Sequence, residues 1–311
     1  MLVFGPVPSR RLGRSLGINN IPPKACCYSC VYCQLGPTES RTIELQEFYA
    51  PETIRAEVER HLELVRARGG QVDSLTFVPD GEPTLDIHLR ETIASLQQLD
   101  IPIAVISNAS LIWREPVREA LAMVDWVSLK VDAIEESLWR RINRPHESLD
   151  HQRILDGMVT FAKNFTGTLT TETMLIKGIN DSDRAAKQLK DFLSRLDPDI
   201  AYLSIPIRPP AEPDVQAPAE ATLNRFFQIV SESLDQVELL TVHEGDAFTS
   251  TGSAAEDLLA ITSVHPMREE SVKALLLDAG ADWDLVENLL EEGRLTKTVY
   301  QDKTFYLRGH S

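Results

Sequence analysis

The 311-residue chain is 43% hydrophobic and 25% charged, a balance that supports a packed core and excludes a disordered or low-complexity protein. With 31 Lys and Arg against 47 Asp and Glu it carries a net charge of −16, which argues against generic binding to duplex nucleic acid. No apolar run reaches the roughly 18 residues that span a bilayer. The N-terminus is broken by Arg10, Arg11 and Arg14 and lacks the apolar centre of a secretory signal, so the expected compartment is the cytosol and no membrane is expected as partner.

From residue 51 the chain alternates between helix and strand. Ile54, Val58, Leu62 and Val65 recur at helical spacing behind Pro51, and Gly69-Gly70 ends that helix. Ser74 to Val78 follows as a short buried strand, Leu89, Ile93 and Leu96 mark a second helix, and Ile101 to Ile106 a second strand. Trp126 to Val131 reads as a strand, followed by helical segments to about Lys163. Next come a strand from Thr168 to Ile176, a helix from about Asp181, a strand from Ile200 to Ile207, a helix from about Pro218 and a last strand from Val237 to Val242. Repeated βα units predict a parallel sheet with helices outside, and this pattern alone leaves a doubly wound sheet and a (β/α) barrel both open.

Small polar residues from Thr249 to Ser253 suggest a linker, giving expected domains of 1–248 and 253–311. In the second, Val272, Leu275 and Leu276, then Leu285, Val286, Leu289 and Leu290, repeat at helical spacing, and strands around Thr298–Tyr300 and Thr304–Tyr306 flank a turn. Helices followed by a hairpin predict a small winged-helix-like α+β domain. It holds six Lys and Arg against eleven Asp and Glu, and the helix that would enter a major groove carries Asp282, Asp284, Glu287, Glu291 and Glu292, so DNA is not the expected partner.

All four cysteines fall within eight residues: Cys26, Cys27, Cys30 and Cys33. A cluster of this kind points to metal rather than disulfides in a reducing compartment. Cys26-x3-Cys30-x2-Cys33 can hold three irons of a cubane and leave the fourth open to a substrate or cofactor. Zinc is the competing ion, although structural zinc commonly takes two separated ligand pairs.

The Cys-x3-Cys-x2-Cys spacing, with Tyr32 before the last cysteine, resembles the signature of the radical S-adenosylmethionine (SAM) superfamily. Pro79-Asp80-Gly81-Glu82-Pro83-Thr84, Ser107-Asn108, Lys130-Val131-Asp132 and the segment from Glu172 follow in the order that this resemblance implies. Phe4 to Gly13, Cys33-Gln34-Leu35-Gly36 and Gly81 to Thr84 resemble the branch of iron–sulfur oxidoreductases related to wyosine-tRNA synthases, although cysteines for the additional cluster usual in those synthases are absent.

The resemblance implies an incomplete parallel (β/α) barrel to about residue 245. It further implies one [4Fe–4S] cluster on Cys26, Cys30 and Cys33, and SAM contacted by Tyr32, Gly81, Glu82, Asn108, Lys130, Asp132 and Glu172. Glu82 is expected to hold the methionine amino group, with the capping of a following helical turn as its other role. A low-potential donor such as ferredoxin or flavodoxin would supply electrons. The implied activity is reductive cleavage of SAM to a 5′-deoxyadenosyl radical that abstracts hydrogen from a substrate. An RNA base is one substrate class, a peptide presented by the C-terminal domain another, and a non-catalytic iron–sulfur sensor the third reading. Arg10, Arg11, Arg14 and Arg208 are candidate grips for an anionic substrate, His243 reads as structural, and Cys27 is expected to point away from the cluster.

Overall fold

A computed structural model describes residues 2–241 and 251–309. An eight-stranded sheet runs in sequence order: β1 (Val3–Ser9), β2 (Gly13–Ile18), β3 (Ser74–Phe77), β4 (Ile103–Ser107), β5 (Trp126–Lys130), β6 (Thr168–Met174), β7 (Ile200–Ser204) and β8 (Val237–Leu240). The pair β1–β2 is antiparallel and every later pair is parallel, with Leu75 opposite Ile103 and Lys130 opposite Glu172. Among the described residues β1 and β8 do not pair, so the barrel is open, as the resemblance implied.

The crossovers carry α1 (Pro51–Ala67), α2 (Leu89–Leu96), α3 (Glu115–Leu121), α4 (Glu136–Asn143), α5 (His151–Ala162), α6 (Asp183–Leu196) and α7 (Glu220–Val230). Their apolar stripes and the outward residues of the strands form one core; Ile54, Val58, Leu62, Leu75, Phe77, Val105 and Leu129 all belong to it. Because strand side chains alternate, the intervening residues turn inward. Ser15, Thr76, Ile106, Lys130 and Glu172, one from each of five neighbouring strands, therefore line the barrel interior. That alternation gives the interior its polar character.

The sequence reading missed the N-terminal hairpin. Its strands hold Arg14, Gly13 and Gly17, which blur any alternation, and the cis Gly5-Pro6 bond lies where the β1–β2 register shifts. The strands expected to end at Ile176 and Ile207 end at Met174 and Ser204, and the last strand ends at Leu240, its expected end Val242 lying outside the described residues.

After the undescribed stretch come α8 (Ala254–Val264), β9 (Met267–Arg268), α9 (Glu269–Ala279), α10 (Asp284–Glu291), β10 (Leu295–Tyr300) and β11 (Lys303–Arg308). The order of elements, with β11 central between β10 and β9, is that of a winged helix. Leu258, Met267, Val272, Leu275, Val286, Leu289, Leu295 and Tyr306 make its own core. On its outer side α8 lays Ala260 and Val264 against Phe4, Val7 and Val78, covering the edge strand β1. No helix among the described residues is long and apolar enough to cross a membrane.

Candidate functional site: a cysteine loop over an open barrel

The cysteine loop leaves β2 and lies across the strand ends, held there by backbone bonds. Lys24 N donates to Asp80 O (2.6 Å), and Glu82 N donates to Ala25 O (2.9 Å), which ties the loop to the exit of β3. On the other side Ser29 N reaches Asn143 O (3.0 Å), Val31 N reaches Ile142 O (2.9 Å) and His146 N reaches Cys27 O (2.9 Å), at the end of α4. Gly81 makes the first tie possible, since a Cβ there would sit 2.0 Å from Ala25 O.

Held this way, Cys26, Cys30 and Cys33 line one cavity, while Cys27 is fully buried in the apolar core. Each of the three facing sulfurs meets an N–H donor. Asn108 Nδ2 approaches Cys26 Sγ at 3.5 Å, Asn143 Nδ2 approaches Cys30 Sγ at 3.3 Å, and Lys24 Nζ approaches Cys33 Sγ at 3.8 Å. Burial pushes the Cys26 and Cys30 thiols well above their usual range. Thiolates at these positions therefore need a cation bound among them. Among the described residues no three Cys, His, Asp or Glu side chains converge tightly enough for a single ion. A cubane takes its ligands at separate corners, so three spaced thiols with N–H donors on the sulfurs fit such a cluster.

The cavity has a volume of about 360 Å³. Of the seven residues expected to meet SAM, Tyr32, Gly81, Lys130 and Glu172 line it. Asn108, Asp132 and Glu82 are not among its lining residues. Asn108 takes the Cys26 contact already described. Asp132 accepts from Tyr32 Oη (2.5 Å), Asn143 Nδ2 (2.6 Å) and Met174 N (2.9 Å), so it positions Tyr32 and the donor to Cys30. Glu82 is 1% exposed and turned inward, where it caps the short 3₁₀ turn Pro83–Leu85 through Thr84 N.

Glu172 holds the barrel floor. Its carboxylate takes Lys130 Nζ at 2.8 Å and Arg11 Nη1 at 2.7 Å. Burial pushes the Glu172 carboxyl up, but Lys130 and Arg11 more than reverse this and leave it below the usual carboxylate range. Burial lowers the Lys130 ammonium and Glu172 overcomes that, so the lysine ends above its usual value. The Arg11 guanidinium lies over Trp126 and Tyr202, 5.9 and 5.6 Å from the ring centroids. The three N-terminal arginines thus do not form one basic patch. Arg11 points into the barrel, whereas Arg14 is paired outside with Asp73 at 2.7 Å and Arg10 is exposed.

At the open end the C-terminal elements complete the wall. Gln34 Nε2 donates to Val264 O (2.9 Å), Arg208 Nη1 donates to Gln34 Oε1 (3.1 Å), and Arg208 Nη2 lies 3.1 Å from His265 Nε2. Sequence reasoning singles out Arg208 and quotes Gln34 only within the Cys33–Gly36 segment, with no site role, and does not name Lys24, Asn143 or His265. Gln34 and Lys24 were within reach as neighbours of the cysteine motif, whereas nothing local marks Asn143 or His265. His243 lies outside the described residues.

The sequence pattern of the Radical SAM superfamily matches residues 20–189. A UPF0026 protein of Methanocaldococcus jannaschii is 46% identical over 310 residues, covering 99% of this chain and 96% of that one. Among solved structures, a radical SAM methyltransferase from Sphaerobacter thermophilus is similar with a TM-score of 0.54 at 19% identity, over 73% of this chain and 66% of that one. TYW1 with a lysine–pyruvate adduct bound is similar with a TM-score of 0.54 at 17% identity, over 71% and 74%. At those identities the two structures share the fold. Members of this superfamily are enzymes that use a [4Fe–4S] cluster and SAM. With its three facing thiols on an open βα sheet, the chain belongs to the radical SAM superfamily.

Proposed function

We propose that this protein cleaves SAM reductively on a single cluster held by Cys26, Cys30 and Cys33, and that the resulting radical takes a hydrogen atom from a substrate lodged toward Gln34, Arg208 and His265. The observation that carries this is the facing of three sulfurs, each with an N–H donor, into one cavity whose far wall comes from the C-terminal elements. When bound, the reduced cluster supplies the electron that opens the carbon–sulfur bond of SAM. The chain supplies placement and shelter. Tyr32, braced by Asp132, offers its ring as a face for adenine, and Lys130 sits 5.2 Å from that ring's centroid. Lys130 and Arg11 bring two cations to one carboxylate, leaving positive charge on the floor for the carboxylate of SAM. The polar strand residues keep the reacting groups within near-attack distance, and the Val264–His265 wall limits water.

A low-potential donor of the ferredoxin or flavodoxin type would deliver the electron. For the substrate, an RNA base is what the resemblance to wyosine-tRNA synthases supports. A peptide is favoured by two observations: Val264 and His265 of the C-terminal elements line the cavity, and the N-terminal arginines are drawn apart rather than presented to phosphate. Anaerobic turnover with deuterated candidates tests the proposal, deuterium in 5′-deoxyadenosine identifying the substrate. Reduced, reconstituted protein that forms no 5′-deoxyadenosine at all would overturn it. Filter binding of tRNA at several salt concentrations separates the two substrate classes.

A further inference from the structure

The exit of β4 carries a cationic group that the cavity does not use. Asn108, whose amide meets Cys26 Sγ, opens a stretch of tight turns. Ser110 N donates to Asn108 Oδ1 (2.9 Å), Ile112 N to Ala109 O (3.1 Å) and Arg114 N to Leu111 O (2.9 Å). At a rise of about 2 Å per residue in such turns, Trp113 stands roughly 10 Å from Asn108. Its indole is half-buried, and two guanidiniums lie against it: Arg153 of α5 at 3.9 Å and Arg114 at 4.9 Å from the ring centroid. A third, Arg118 of α3, donates Nη1 to Trp113 O (2.7 Å) and Ile112 O (3.0 Å). On the other flank of Cys26, Thr42 N donates to Cys26 O (3.1 Å). Arg41 beside it is exposed, its Nη1 resting on Arg144 O (2.8 Å) and Pro145 O (3.2 Å).

In a chain of net charge −16, Arg41, Arg114, Arg118 and Arg153 have no carboxylate partner among the described residues. Of the carboxylates close by in the chain, Asp150 receives Arg153 N, Asp156 receives Gln152 Nε2 and Glu119 pairs with Arg90. The indole attracts each cation but does not cancel their mutual repulsion, which an anionic partner does. Neither Trp113 nor any of the four arginines lines the cavity, so they are not placed to grip SAM or a substrate inside it. They stand instead on both flanks of Cys26, outside the barrel.

Resting on the proposed function, we propose that the arginines around Trp113, together with Arg41, are the docking face for the electron donor. The partner that fits is a small acidic one-electron carrier protein; it gives one electron to the cluster beside Cys26 and leaves oxidised by one electron. Charge complementarity selects this occupant. The acidic body of the chain repels such a protein elsewhere, so these cations set where it lands and steer its approach. RNA phosphates would also meet guanidiniums, but a substrate base has to enter the cavity, whose lining excludes these residues.

The test reads binding without turnover, on anaerobically reconstituted full-length protein, with an oxidised bacterial ferredoxin of net negative charge as the probe. In Arg114→Gln/Arg153→Gln its dissociation constant should rise about 3- to 30-fold at low ionic strength, as expected for two largely solvated charge pairs. The dependence of affinity on salt should flatten as well. Arg66→Gln/Arg195→Gln removes the same charge from the last turns of α1 and α6, which lead into the starts of β3 and β7, and should bind as the parent does. SAM affinity should stay parental in every variant, as should 5′-deoxyadenosine formation with photoreduced 5-deazariboflavin, a small reductant that needs no docking face. Arg41→Gln/Arg153→Gln, confined to exposed side chains, repeats the comparison should the first variant fail to fold. Parental ferredoxin affinity in these variants, an equal loss in the control, no affinity in the parent, or a loss of tRNA in filter binding in place of ferredoxin would overturn the assignment. Parent protein that forms no 5′-deoxyadenosine with the deazaflavin would instead defeat the proposed function.

Discussion

The contact between Gly81 and the cysteine loop allows a sharp forecast. A Cβ at position 81 would lie 2.0 Å from Ala25 O and 2.8 Å from Ile21 Cδ1. Relief requires the loop to back away by about 1 Å, because the carbonyl is backbone and cannot swing aside as a side chain would. That carbonyl is also the acceptor for Glu82 N, so the shift opens the bond that holds Cys26 beside β3. Overpacking and a lost buried bond together put Gly81→Ala at about 2–5 kcal/mol of lost stability. A displacement near 1 Å at the reacting groups adds a roughly 100-fold loss in SAM cleavage. Urea unfolding of the metal-free protein measures the first quantity, and anaerobic 5′-deoxyadenosine formation the second. Gly69→Ala is the control: its φ is +73° with nothing within 4 Å of a new Cβ, so it should cost only about 1–2 kcal/mol and leave cleavage intact. Gly81→Ala with parental stability and cleavage would refute the argument.

Glu172→Gln should destabilise the protein by about 3–5 kcal/mol in urea, since it leaves Lys130 and Arg11 buried without their shared carboxylate. Adding Arg11→Met should recover part of that loss, and strictly additive losses would contradict the ion triad. His151 stacks on Trp139 with centroids 4.5 Å apart, and burial depresses its imidazole from 6.5 to about 4. Between those values the unfolded chain binds a proton that the folded one does not, so stability is full above about pH 6.5 and falls as pH drops toward 4. The loss should reach about 2–3 kcal/mol, discounted for partial solvation. His151→Phe should flatten this slope in urea titrations, and an unchanged slope would count against it.

Much of the barrel was legible because its signals are local. Helices such as α1 and α6 declare themselves by apolar spacing, and a buried parallel strand such as β3 by a short apolar run between turns. The N-terminal hairpin was not legible, since its pairing depends on β3 and on the cover that α8 provides. At the site, the three cysteines are marked by their spacing alone, and Tyr32, Gly81, Lys130 and Glu172 by position in motifs. Motif position does not give the direction of a side chain. Glu82 and Asp132 are engaged by hydrogen bonds within the chain, and Asn108 reaches the sulfur of Cys26. Asn143 and His265 are brought in by tertiary packing from α4 and from the segment after α8, which no local pattern encodes.

The central claim is a cluster bound by three of four neighbouring cysteines with one corner open to SAM. Electron paramagnetic resonance of the reduced, reconstituted protein tests it directly when recorded with and without SAM for each Cys→Ala variant. The account predicts a cubane signal in the parent and in Cys27→Ala that changes shape when SAM is added, and no such signal in the Cys26, Cys30 or Cys33 variants. A signal that needs Cys27, or one indifferent to SAM, would contradict it.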